Sequence, residues 1–124
     1  MNSLPDEYEL LALFECEPVL RDSQTKNLPF YYNEATYRFS NEEESFLVRI
    51  TPAYSEVKIQ VNHRVTQRLI SRLDLKKVDK LEIIADTKKI SSILLTMDND
   101  ENLQTLEIEF KPHYKLIMQD HLSF

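Results

Sequence analysis

The sequence predicts a mainly β fold: an antiparallel sandwich or partly open barrel of seven to eight strands behind a short N-terminal helix. Three observations carry this reading. From Phe30 onward, apolar and polar side chains alternate, the two-residue period of strands packed on one face. The segments between these runs are short and polar or contain proline. The 124 residues include no glycine, where average usage of about 7% would give roughly nine. That length predicts a single domain over 1–124, with room for one core.

The elements follow in order. Ser3 suits an N-cap, Pro5 a first turn, and Asp6, Glu7 and Glu9 the positive end of a helix dipole. Leu10, Leu11, Leu13 and Phe14 recur at helical spacing, and Glu17-Pro18 closes the segment. Tyr8, Leu10, Ala12, Phe14 and Cys16 also alternate, so a strand is the rival reading. Residues 20–29 are polar and unpatterned, a loop.

The strand runs come next. Ala35, Tyr37 and Phe39 share one face, as do Phe46, Val48 and Ile50, and then Val57, Ile59 and Val61. Leu81 and Ile83 make a shorter case. Leu106, Ile108 and Phe110 alternate with Thr105, Glu107 and Glu109, and Tyr114, Leu116 and Met118 repeat the pattern. Residues 64–75 read as a strand, although Val65, Leu69 and Leu73 also stand four apart. Residues 88–97, with Ile93, Leu94 and Leu95 in a row, fit a strand buried on both faces. Turns are expected at Asn41-Glu42-Glu43-Glu44, Thr51-Pro52-Ala53-Tyr54, Asn62-His63 and 98–102. Without glycine, Asn33, Asn41, Asn62, Asn99 and Asn102 are the natural residues for positive φ.

Composition excludes several function classes. A P-loop, a dinucleotide fingerprint and a nucleophile elbow all need glycine at a sharp turn or close approach. No apolar run approaches the roughly 20 residues of a membrane span. The acidic start, Met1 to Glu7, lacks the pattern of a signal peptide, and lone Cys16 can form no internal disulfide. A cytoplasmic location is therefore expected.

The net charge of −6 is unevenly spread. Residues 1–57 carry four basic and eleven acidic side chains, and residues 81–124 four and eight. Residues 58–80 carry seven basic and two acidic. Within that basic segment, Arg64, Arg68 and Arg72 share a face on either a strand or a helix. They are candidates for binding an anionic ligand, with a solvated face paired to Glu82 or Glu107 as the plainer alternative. A sequence pI near 5.1 argues against a nucleic-acid partner.

The acidic runs Glu42-Glu43-Glu44 and Asp98-Asn99-Asp100-Glu101 fall in expected loops and suit contact with a basic protein. Tyr31, Tyr32 and Tyr54 join them as candidate contact residues, because tyrosine combines large area with a hydroxyl. Chemistry is poorly supported. His63, His113 and His121 lack ligand spacing, no EF-hand pattern fits the 98–101 run, and no cofactor or metal is indicated. Cys16 follows an apolar run and reads as a buried thiol. Glu15 with Glu17, and Glu107 with Glu109, are paired carboxylates with no sign of burial. Catalytic residues are therefore not assigned, and a dimer formed through edge strands stays open.

Leu13-Phe14-Glu15-Cys16-Glu17-Pro18, Pro29-Phe30-Tyr31-Tyr32-Asn33 and Ile50-Thr51-Pro52-Ala53-Tyr54-Ser55-Glu56-Val57-Lys58-Ile59 together resemble small bacterial proteins. Some of these are immunity proteins that neutralise a neighbour's toxin. The likeness covers about residues 8–61 and rests on structural rather than catalytic residues. It implies a protein-binding role and assigns no site residue. The expected function is thus a non-catalytic protein that binds a basic partner, an immunity or accessory protein. The alternative is a small anionic-ligand binder or cryptic enzyme built on Arg64, Arg68 and Arg72.

Overall fold

The alternation folds into two antiparallel sheets, each a simple meander. The computed structural model describes residues 1–21, 30–99 and 102–122, and among these one helix, α1 (Glu7–Phe14), precedes nine strands. The first sheet has the order β1 (Val19–Leu20), β2 (Ala35–Ser40), β3 (Glu44–Thr51), β4 (Glu56–His63) and β5 (Leu69–Leu75). The second has the order β6 (Val78–Asp86), β7 (Ser91–Asn99), β8 (Asn102–Lys111) and β9 (Lys115–Leu122). The sheets stay separate, so the outcome is a sandwich with a short N-terminal helix and not a barrel. Most of the expected 20–29 loop lies outside the described residues.

Register explains the core. Tyr37, Val48, Ile59 and Leu73 stand opposite one another across four strands, as do Leu81, Leu95, Leu106 and Met118 in the second sheet. All but Leu73 and Met118 are buried, and burial of each such side chain is worth about 1.5–3 kcal/mol. Phe110 joins the sheets. Its ring lies 5.2 Å from both Phe39 and Phe46 and edge-on to each, a favoured aromatic geometry.

Helix α1 lies against β2 and β6 and inserts Leu10, Leu13 and Phe14 into the core. Its N-cap is Asp6, not Ser3. Asp6 Oδ1 accepts the Glu9 N–H at 2.8 Å while Glu9 Oε1 accepts the Asp6 N–H at 3.2 Å, a reciprocal box. Ser3 is instead tied by backbone to the second sheet, its carbonyl accepting the Leu81 N–H at 2.9 Å. The helix stops before Glu17-Pro18, at Glu15, whose φ of 55° is left-handed.

Other expectations change. Only 69–75 of the expected 64–75 strand pairs with β4, because residues 64–66 turn the chain. Asn62 and His63 lie on β4 with a bulge before Asn62, and do not form the turn. Asp98 lies on β7, paired with Leu103, so it is a strand residue. Strand β7 does bury both faces at Ser92, Ile93, Leu95 and Thr96. Leu116 and Met118 are exposed on β9, the edge strand of its sheet. The left-handed positions among the described residues are Glu15, Ser55, Gln67 and Lys77, none of them the expected asparagines. Asn41 shapes its turn through its side chain instead, Oδ1 accepting the backbone N–H of Glu43 and Glu44 at 2.9 and 2.7 Å.

Candidate functional site

Hairpins that alternate along two meanders place their connections at two opposite ends. One end gathers the β2–β3 turn at Asn41–Glu43, the β4–β5 turn, the β6–β7 turn at 87–90 and the β8–β9 turn at Pro112–His113. The other gathers the N-terminal residues, the single 3-10 turns Phe30–Tyr32 and Pro52–Tyr54, and the start of β6.

At the first end, Glu42 and Glu43 are exposed but Glu44 is buried. Glu44 Oε1 accepts from Asn41 Nδ2 at 2.8 Å and from the Tyr114 backbone N–H at 3.1 Å. Asn41 Nδ2 also donates to the Phe110 carbonyl at 2.8 Å. The pair therefore fastens the first sheet to the second. Glu43, Glu44 and His113 bring ligand atoms within 4.8 Å of one another, the one such grouping among the described residues. With Glu44 Oε1 already accepting two donors, the cluster reads as a clasp between turns. Lys88, Lys89 and Lys111 line the same depression as Glu42, so carboxylates and amines are mixed here.

The three arginines do not converge. Arg64 lies in the β4–β5 turn and donates through Nη1 to the Asn41 carbonyl at 3.2 Å. Arg68 precedes β5, and Arg72 stands on it, donating to Gln60 Oε1 at 3.2 Å. Arg68 and Arg72 line different depressions. The aligned stripe fails because only 69–75 is a strand. Glu82 and Glu107 belong to the second sheet and pair with Leu94, so they do not neutralise these arginines across a ladder. Arg72 instead shares the outer face of the first sheet with Arg49 and Lys58, which sit directly opposite each other.

The second end is aromatic. The Tyr31 and Tyr32 rings meet edge-on at 5.4 Å, and their turn lies against the turn that carries Tyr54. All three tyrosines are exposed. The Met1 amino group donates to Ser55 Oγ at 2.7 Å and ties the N-terminal residues to that turn. Tyr8, on the outer side of α1, borders a depression of about 520 Å³ together with Phe30 and Tyr31. Asp98 comes off β7 near this end, far from Glu42 and Glu43; Asp100 and Glu101 lie outside the described residues. Asp98 therefore does not share a patch with Glu42 and Glu43. Tyr8 was readable from sequence, because buried Leu10, Leu13 and Phe14 leave position 8 on the opposite helical face.

The remaining reactive groups are structural. Cys16 is half-buried where a buried thiol was expected; desolvation pushes its thiol up, and a hydrogen bond with the Arg38 backbone pulls it partly back. Burial, then the nearby Cys16 and Glu7, raise the Tyr37 hydroxyl far above its usual value. His63 Nδ1 accepts the N–H groups of Val65 and Thr66 at 3.2 Å each and so caps its own turn. Glu107 and Glu109 are half-exposed and face outward from the core.

A solved structure shares this fold. The chain is similar over 97% of its length, and over 96% of the other chain, to a chain of a contact-dependent growth inhibition toxin–immunity protein complex from Klebsiella pneumoniae 342. The TM-score is 0.73 at 21% sequence identity, so what the two share is architecture. The neighbour's origin in a toxin–immunity complex agrees with the resemblance to immunity proteins read from residues 8–61. No protein-family model matches the sequence, and no curated protein matches it with significance. No helix among the described residues is long and apolar enough to cross a membrane.

Proposed function

We propose that this chain is an immunity protein, which neutralises a toxin in the cytoplasm by binding it, without catalysis, and that the toxin surface it meets is basic. The observation that carries the reading is the fold match over nearly the whole chain to a component of a toxin–immunity complex. The net charge of −6 and the exposed tyrosines favour a cationic protein partner.

The test is co-production with the protein encoded by the adjacent gene. Growth arrested by that protein alone should recover when this chain is present, and the two should elute together from a sizing column. Unrelieved arrest, with separate elution, would overturn the reading.

A further inference from the structure

Three surfaces compete as the place where a basic partner would dock, and their charges separate them. The outer face of the first sheet carries Arg38, Arg49, Lys58 and Arg72 against Asp74 and Glu56, a net positive face that repels a cation. The Glu42–Glu43 end mixes its carboxylates with Lys88, Lys89, Lys111 and Arg64. The third surface differs. Residues 1–20, 30–37 and 52–56, which build α1 and the two tyrosine turns, contain seven carboxylates and no lysine or arginine. Among the described residues, cations reach it at the Met1 amino group, which lines the depression at Tyr8 and Tyr31, and at Lys111, which pairs with Glu15 at 2.9 Å. Arg21, Lys80 and the Lys76-Lys77 link stand at its borders.

This third surface also holds the exposed aromatic area. Tyr8, Tyr32 and Tyr54 are 76%, 68% and 74% exposed, large values for rings that have a packed core beside them. Two depressions meet at Tyr8: the one of about 520 Å³ shared with Tyr31, and a groove of about 460 Å³ shared with Glu17 and Val19. Tyrosine faces attract lysine and arginine through the ring quadrupole, and Glu7 and Glu17, which line the groove beside Tyr8, add charge attraction.

We propose that the toxin docks on this surface: Tyr8, Tyr31, Tyr32 and Tyr54 are the anchors, Glu7 and Glu17 supply the charge, and the occupant is a lysine- and arginine-rich protein face. The proposal rests on the immunity reading and adds to it a location and the partner's chemistry. It moves the interface away from Glu42 and Glu43.

The test measures binding of the adjacent-gene product to the full chain at about 50 and about 300 mM salt, with thermal melting as the check on folding. The Tyr32→Ala/Tyr54→Ala variant should melt like the wild type and bind at least about tenfold more weakly, as loss of aromatic anchors does. Glu7→Gln/Glu17→Gln should slow association and flatten its salt dependence. Glu42→Gln/Glu43→Gln should bind within about twofold of the wild type. Wild-type binding that survives the tyrosine changes but fails with Glu42→Gln/Glu43→Gln overturns the location and leaves the immunity reading intact. A wild-type dimer that the tyrosine changes dissolve assigns the surface to a second copy and also overturns it. No wild-type binding at either salt overturns the immunity reading, and the location with it.

Discussion

Glu44 and Tyr114, 70 residues apart, are joined by a hydrogen bond of 3.1 Å from the Tyr114 backbone N–H to the Glu44 carboxylate. The bond crosses from one sheet to the other, and Asn41 completes it from the neighbouring turn. Replacing Glu44 with alanine strands two donors in a buried place. The expected cost is about 1–3 kcal/mol, read by urea denaturation, whereas Glu43→Ala beside it should cost less than about 0.5 kcal/mol.

The Tyr37 hydroxyl is buried without a hydrogen-bond partner among the described residues. Removing it as Tyr37→Phe should leave stability unchanged or raise it by about 1 kcal/mol.

Alkaline pH should weaken the fold through Cys16 and Tyr37. Both have raised folded-state pKa values, so the unfolded chain releases these protons first. Their contribution is complete below the unfolded values and is lost as pH rises through the folded ones. Denaturation midpoints should therefore fall from neutral pH toward the tyrosine range. The Tyr37→Phe variant should fall less steeply there, and a flat profile in the wild type would contradict the assignment.

Phe110 meets Phe14, Phe39 and Phe46 at the junction of helix and both sheets. Phe110→Ala should cost about 3–5 kcal/mol, enough to unfold many domains of this size. Circular dichroism against temperature checks it.

At Lys77 the backbone holds φ at 60°, a left-handed conformation that costs a side-chain-bearing residue about 1–2 kcal/mol. Lys77→Gly removes that cost and gives back part of it as unfolded-chain entropy. A net gain of up to about 1 kcal/mol is expected, seen as a raised melting temperature.

Much of the fold was legible because burial on one face writes itself as alternation. Tyr37, Val48, Ile59 and Ile108 lie in the core where the period of two placed them. The pattern failed where partners decide, not period. Leu116 and Met118 alternate as well as Ile108 and Phe110 do, but β9 is the edge strand of its sheet and leaves them exposed. The helix cap went to Asp6 and not Ser3, because the Ser3 backbone is engaged by β6 at Lys80 and Leu81, a distant partner that no local rule reveals. For the surface, sequence marked Tyr31, Tyr32 and Tyr54 and grouped them with Glu42 and Glu43. Strand parity puts those two sets at opposite ends of the sandwich.

The two meanders are joined along the chain only through Lys76-Lys77, between the last residue of β5 and the first of β6. A cut there would give two fragments, each with its strand pairings complete and one apolar face bare. Such fragments should be insoluble or molten alone and should reassemble when mixed, held by the shared aromatic junction, the Ser3–Lys80 bridge and the Glu44 clasp. The protein is in this sense already divided, and the same division offers a way to switch its partner binding on by bringing two halves together.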